Sequence, residues 1–146
     1  MVMPGDGLVL ALDQGSHASR AVLFDAAGHE VAQAHVPVAT RREGTDRVEQ
    51  DPEELVRSLR TALQDACERR PGARIVAAGL ATQRSTIVAW NRGTGRALTE
   101  AISWQDRRNA AWLNRLAPVA DEVRAITGLP LSPHYGASKL RWCLDH

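Results

Sequence analysis

What this sequence lacks narrows it first. Lysine is nearly absent: Lys139 alone stands against 17 arginines, an imbalance that the base composition of a gene explains without invoking function. An excess of one charge is missing too. A net charge of +1 at pH 7 leaves no electrostatic footprint for nucleic acid or an anionic membrane surface. No apolar run approaches the roughly 18 residues that a membrane helix needs. The opening Met1-Val2-Met3-Pro4-Gly5-Asp6 has neither the basic start nor the long apolar stretch of a signal peptide. These absences predict a cytoplasmic protein with no nucleic-acid and no membrane partner. Cysteine is limited to Cys67 and Cys143, 76 positions apart and outside any C-x-x-C pair, so two reduced, buried thiols are expected. His17, His29, His35 and His146 show no metal-ligand spacing.

What is present is ordinary for a globular chain. Hydrophobic residues make up 44% and charged residues 24% of 146 residues, enough for one domain with a core. Leu8-Val9-Leu10-Ala11-Leu12 reads as a short buried strand ending in the turn Asp13-Gln14-Gly15-Ser16. Ser19 to Asp25 and Glu30 to Val38 read as two further strands, and the short turns between them predict an antiparallel meander. Thr40 to Val48 is polar and is expected to be a loop. Asp51-Pro52-Glu53-Glu54 marks a helix start, with Leu55, Leu59, Ala62, Leu63 and Ala66 at helical spacing. That helix ends near Arg69-Arg70, whose charges suit a C-terminus, and Pro71-Gly72 stops it. Ile75 to Ala81 reads as a buried strand, placed by the helical crossover parallel to an earlier one. Thr86 to Trp90 reads as another strand, and Ala97 to Ile102 as a short extended piece. Helices are predicted from Asp106, over Val119 to Ile126, and from Gly136 or Ser138 onward. Pro130 and Pro133 keep the segment between the last two out of a helix. Trp142 and Leu144 on the last helix expect a partner surface, so the chain reads as cut from something longer.

Four segments carry chemistry. At the exit of the first strand, Asp13 offers a carboxylate whose burial would call for a cationic partner. Gly15 lets backbone approach a ligand closely, and hydroxyl and N–H groups of such a turn suit phosphate oxygens. Together they suit a metal–phosphate site with Asp13 near a divalent cation, through water as magnesium prefers. The same turn also reads as a plain hairpin whose Asp accepts backbone N–H bonds. Thr82-Gln83-Arg84-Ser85 follows a strand's carboxyl end, where ligands of α/β sheets bind. Arg84 offers a planar fork for paired hydroxyls or a carboxylate, or a surface salt bridge. In Ser103-Trp104-Gln105-Asp106-Arg107-Arg108, Trp104 can lie over the C–H face of a polyol or pack in the core. In Ser132-Pro133-His134-Tyr135-Gly136, His134 and Tyr135 carry polar tips that reach a pocket, unless Tyr135 packs and His134 is exposed.

Taken in order, these segments resemble the N-terminal part of the FGGY carbohydrate kinases, closest in pattern to the glycerol kinases. The matching stretches are Ala11-Leu12-Asp13-Gln14-Gly15 with Ser19-Arg20-Ala21-Val22, then Val48-Glu49-Gln50-Asp51-Pro52, Thr82-Gln83-Arg84 and Ser103 to Arg108. Thr127-Gly128-Leu129 and Lys139-Leu140-Arg141-Trp142-Cys143-Leu144-Asp145 complete the set. The resemblance implies an α/β, ribonuclease H-like (actin-type ATPase) fold: a mixed sheet with three leading antiparallel strands and flanking helices. Residues 1–146 would form the N-terminal portion of the first, sugar-binding domain, with the ATP-binding domain outside this chain. It implies transfer of the ATP γ-phosphoryl group to a sugar or polyol hydroxyl, with ATP and Mg²⁺ as cofactors and a homo-oligomer as the full-length protein. Asp13 would hold the magnesium shell, and Gln14, Gly15, Ser16 and His17 would line the phosphates. Arg84, Ser85, Trp104, His134 and Tyr135 would bind the substrate, with Trp104 stacked on its carbon chain. The general base would lie beyond residue 146, so the isolated chain is expected to be inactive and, with apolar surface exposed, to self-associate.

Three positions depart from the glycerol kinase pattern. Ser85 stands where a Glu directly follows the Arg, His134 where a Tyr directly follows the Pro, and His17 where a hydroxyl residue is usual. These departures imply a substrate other than glycerol, or glycerol held differently. They also keep open a non-catalytic sugar- or partner-binding module that retains the kinase fold.

Overall fold

The computed structural model describes residues 7–146. In chain order its strands are β1 (Gly7–Gln14), β2 (Ala18–Phe24), β3 (Glu30–Pro37), β4 (Arg41–Glu43), β5 (Arg47–Gln50), β6 (Arg74–Ala81) and β7 (Ala101–Ile102). Its helices are α1 (Pro52–Glu68), α2 (Ala110–Asn114), α3 (Ala120–Thr127) and α4 (Gly136–Asp145), with one 3₁₀ turn over Ala117–Val119. Two compact units share them: one runs up to Thr40 and adds Asp51–Gln83, the other joins Arg41–Gln50 to Arg84–His146.

The first unit is a four-stranded mixed sheet in the order β3-β2-β1-β6. β1, β2 and β3 form the antiparallel meander that the short turns predict, and β6 runs parallel to β1. The long connection through α1 allows that direction, since only a crossover returns a strand parallel. α1 begins where its sequence signals stand: the Asp51 carboxylate accepts the Glu53 N–H at 2.8 Å, and Pro52 takes the first turn. Its small, fully buried Ala62 and Ala66 let the helix settle on Leu10, Ala21, Leu23, Ala32 and Ala34 of the sheet. Ser58 sits on the same face, and its hydroxyl meets that of buried Ser19 at 2.7 Å, so neither is left unsatisfied. Arg69 and Arg70 serve β3 rather than the helix end: Arg69 donates to the Gln33 carbonyl, and Arg70 Nε to that of Val31 at 2.9 Å.

β6 departs from expectation. Its apolar run predicts a buried strand, yet every residue from Arg74 to Ala81 is exposed, Leu80 by 57%. The reason is position: β6 is the sheet edge, and α1 packs over β1–β3. A run of this kind fits a strand covered on both faces, so its exposure reflects what this chain places beside it.

The second unit holds a small antiparallel sheet in the order β4-β5-β7. The loop expected over residues 40–48 is instead the β4–β5 hairpin. Its first strand is exposed at all three residues, so no apolar alternation marks it. The strand expected over Thr86–Trp90 reduces to two isolated bridges, Ile87 with Ile102 and Trp90 with Ala97. α3 closes at Gly128, whose φ of 72° is the left-handed cap that the Thr127-Gly128 pair predicts. Cys67 and Cys143 are free, as expected, but half-buried rather than buried. Among the described residues no helix is long and apolar enough to cross a membrane.

Candidate functional site

In the first unit the β1–β2 turn is tightly specified. The Gly15 N–H donates to the Ala18 carbonyl at 3.0 Å, and a Cβ on Gly15 would stand 2.9 Å from that same oxygen. Only glycine closes the turn this way. Gln83, just past β6, clamps it from the side, with Nε2 donating to the Gly15 carbonyl at 3.0 Å. The Ser16 hydroxyl donates to Gln83 Oε1 at 3.5 Å, the Thr40 hydroxyl to the Ser16 carbonyl at 3.2 Å, and the Val38 N–H to the His17 carbonyl at 2.9 Å.

Strand alternation then sorts the side chains. Leu10, Leu12 and Gln14 share the α1 face, which places Asp13 on the opposite, open face with Val9 and Ala11. Asp13 is exposed, not buried as its strand context suggests, and no hydrogen bond or ion pair engages its carboxylate among the described residues. Arg20 pairs directly across from Asp13, and His35 across from Arg20, so the three form a row on that face. In the sequence Arg20 stands out only as part of Ser19-Arg20-Ala21-Val22. The hairpin register supplies the missing signal, because an Asp at the end of one strand pairs with the residue seven positions on. Gln14 is buried on the helix side, and its Nε2 has no partner among the described residues. His17 is exposed.

In the second unit the structure brings together Trp104, His134 and Tyr135. The Trp104 and His134 rings meet edge to face at 5.4 Å between centroids, and those of His134 and Tyr135 do the same at 5.1 Å. Trp104 and Tyr135 are half-buried and His134 is exposed, so the rings pack on one another and leave His134 toward solvent. The Trp104 N–H donates to the Thr86 hydroxyl at 3.1 Å, tying the indole's backbone to the segment that carries Arg84 and Ser85. Arg84 is exposed. Ser85 has φ of 67°, the one left-handed non-glycine among the described residues.

The rest of the Ser103–Arg108 motif is scaffold. Asp106 is fully buried and accepts from the Val48 N–H at 2.7 Å and the Arg108 N–H at 2.9 Å. The Arg108 guanidinium grips it with two prongs, Nε at 2.9 Å and Nη2 at 2.8 Å, and also donates to Glu49 at 2.6 Å. Burial pushes the Asp106 carboxyl up, but the bonds from Arg108 and Val48 outweigh it and hold it below the ordinary carboxylate value. Arg108 also lies over the Trp142 ring, 4.6 Å from its centroid. Glu49 of one motif thus meets Arg108 of another.

Lys139 is the second residue whose role the sequence leaves hidden. It is 1% exposed, and its Nζ donates to the carbonyls of Pro133 at 2.8 Å and His134 at 2.7 Å. Burial pushes its ammonium down to about 8. A concavity of about 400 Å³ on the β4–β5 hairpin is lined by Arg41, Arg42, Glu43, Arg47 and Glu49 and by none of these rings. Its arginines are engaged, Arg41 by Glu100, Arg42 by Gln105 and Arg47 by Glu43.

The sequence profile described as the FGGY family of carbohydrate kinases, N-terminal domain, matches residues 8–146. The glycerol kinase of Rhodospirillum centenum is 44% identical over 144 residues, covering 94% of this chain and 28% of that protein. The crystal structure of Plasmodium falciparum glycerol kinase with ADP aligns with a TM-score of 0.88 at 20% identity, over 96% of this chain and 29% of its own. The xylulose kinase of Rhodospirillum rubrum aligns with a TM-score of 0.88 at 22% identity, over 95% of this chain and 30% of its own. The two structures establish an actin-type ATPase fold, with the mixed sheet and three leading antiparallel strands that the sequence implies. This chain spans 28% of the length of the curated relative it matches.

Proposed function

The chain belongs to the FGGY family of carbohydrate kinases, and from that membership we propose ATP-dependent phosphorylation of a sugar or polyol hydroxyl as the activity of the whole protein. In this reading the chain supplies the N-terminal portion of the sugar-binding domain, and the base that takes the hydroxyl proton comes from outside it. The acceptor oxygen forms a bond to the γ-phosphorus, the bond from that phosphorus to the β,γ-bridging oxygen breaks, and ADP leaves. Such a transfer asks mainly for positioning and for donors aimed at the phosphates.

The observation that carries the reading is the β1–β2 turn. A glycine that tolerates no Cβ and a glutamine clamp hold the turn rigid, while the Asp13 carboxylate stays exposed and unengaged among the described residues. A hairpin needing only stability has no use for an uncommitted carboxylate beside so constrained a turn. No three His, Cys, Asp or Glu side chains converge among the described residues. Magnesium needs no such cage, since one or two carboxylates with waters and substrate phosphates suffice. Asp13 fits that role, and the ion would neutralise phosphate charge. Gln14, Gly15, Ser16 and His17 would line the phosphates, with the backbone N–H groups of Ser16 and His17 as donors, since the Gly15 N–H and the Ser16 hydroxyl already serve the turn itself. Arg20 adds a permanent positive charge on the Asp13 face. For the acceptor, Trp104 offers an indole face, with Arg84, Ser85, His134 and Tyr135 as hydrogen-bonding groups.

The test is turnover by the full-length protein with ATP and Mg²⁺ against pentoses, hexoses, polyols and sugar acids, read as ADP release. One acceptor class should be phosphorylated. Asp13→Asn should cut kcat by about 10²-fold or more, and Arg84→Ala and Trp104→Ala should weaken acceptor binding without unfolding. Normal handling of every accepted sugar by both variants would refute the acceptor assignment. Binding of a polyol with no ADP release would favour the non-catalytic module, the reading that Ser85, His134 and His17 support.

A further inference from the structure

We propose that Lys139 is a positioning residue: by gripping the carbonyls of Pro133 and His134 it sets the His134 imidazole against Trp104 and so fixes the ring surface on which the acceptor rests. The part concerning the acceptor depends on the kinase reading above. The part concerning the rings does not.

Three observations converge. The first is the match of donors to acceptors. An ammonium carries three N–H donors on one atom, and Lys139 Nζ lies 2.8, 2.7 and 3.5 Å from the carbonyl oxygens of Pro133, His134 and Tyr135. Three carbonyls converging on a point suit a compact cation and do not suit a planar guanidinium fork. In a chain with 17 arginines, the single lysine stands where an arginine would not serve.

The second is the segment that is gripped. Leu129 to Tyr135 contains Pro130 and Pro133 and belongs to no helix or strand; the Ser132 carbonyl is met inside the segment by the Tyr135 N–H at 3.2 Å, whereas those of Pro133 and His134 are met from outside it. Lys139, 1% exposed, is that outside partner, and the carbonyls it faces at Pro133 and Tyr135 flank the residue whose ring meets Trp104.

The third is how both ends are anchored. Trp104 is tied to Thr86, and its motif is locked at the other end by Asp106 and Arg108. Asn109, next in line, donates to the Ser138 carbonyl at 2.8 Å, which fixes the start of α4 to that motif. Lys139 is the adjoining residue. The lysine therefore completes a continuous path from the Trp104 backbone to the His134 ring, without itself reaching the ring surface.

The single lysine also makes the test direct. Protonated imidazole beside an indole quenches its fluorescence. In the 146-residue chain carrying His146→Gln, which removes the imidazole stacked on Trp142, tryptophan emission is titrated from about pH 5 to pH 8, the range in which histidine changes charge. His134→Gln defines the amplitude that His134 contributes. Lys139→Met is expected to lose at least about half of it, and Lys139→Arg to recover only part, because the fork keeps the charge but not the point geometry. Full amplitude in a folded Lys139→Met chain overturns the proposal. Should that variant not fold, ¹⁵N-lysine labelling of the wild-type chain yields one Nζ resonance. Slowly exchanging ammonium protons and a shift on His134 titration support the proposal; solvent-like exchange with no shift overturns it. In the full-length protein, Lys139→Met is expected to raise the acceptor KM about tenfold while kcat changes less than about threefold and the ATP KM stays put. An unchanged acceptor KM in an active enzyme overturns the acceptor part. Absence of turnover by the wild-type protein with any acceptor defeats the kinase reading instead, and leaves the spectroscopic measurements to decide Lys139.

Discussion

Asp106→Ala removes the hub of the second unit. Asp106 is fully buried and accepts four hydrogen bonds, from the Val48 N–H and from the Arg108 N–H, Nε and Nη2. In the variant, Arg108 keeps its single bond to Glu49 and the face of Trp142, with its side chain 3% exposed. The Val48 N–H loses its partner. Deleting one member of a buried ion pair costs about 3–5 kcal/mol, because the other charge stays desolvated. With a denaturant slope of about 2 kcal/mol per molar urea, the unfolding midpoint should fall by about 1.5–2.5 M. Arg108→Met added to Asp106→Ala removes the stranded charge, so the double variant should lose less than the two single losses added together. The pH dependence follows from the direction of the shift. The folded-state value lies below the ordinary 3.8, so the unfolded chain binds the proton more readily. The carboxylate's contribution is therefore complete above 3.8 and is lost as pH falls through the lower folded-state value. Asp106→Ala should flatten the acid limb of the stability profile. A midpoint shift under about 0.5 M would refute the reasoning, since an exposed salt bridge is worth only about 0–1 kcal/mol.

Gly15→Ala forces a Cβ to 2.9 Å from the Ala18 carbonyl, so the turn must move. Urea unfolding should show a loss of about 1–3 kcal/mol, and in the full-length protein the ATP KM should rise more than the acceptor KM. Ser85→Gly relieves a left-handed serine at φ 67° and should gain about 1 kcal/mol by urea titration. Asp51→Ala removes the bond to the Glu53 N–H and should lower the stability of the first unit by about 1 kcal/mol; circular dichroism melts read it.

How much was legible in the sequence depends on how far each determinant reaches. The meander was legible because β1, β2 and β3 are joined by short turns and neighbours in sequence pair in space. The start of α1 was legible because an N-cap and a first-turn proline act within three residues. The β4–β5 hairpin was not, since Arg41, Arg42 and Glu43 carry no apolar alternation and pairing alone defines the strand. The exposure of β6 was not, since an apolar run shows a preference for burial but not whether anything covers it.

The candidate site divides the same way. Asp13, Gly15 and Trp104 stand out as residue types at turns and strand ends, and the sequence alone determined that they exist at those ends, as it determined the class of fold. Only the tertiary structure decided that Asp13 faces the open side of the sheet while Gln14 faces the helix, and that Arg20 stands across from Asp13. It also decided that Gln83 clamps a turn 68 positions away, and that the single lysine is buried under residues it follows by a helical turn or more. Turns and caps are settled by forces acting over a few residues. A buried charge finds its partners only after distant segments have converged, and nothing local in the chain records where they will meet.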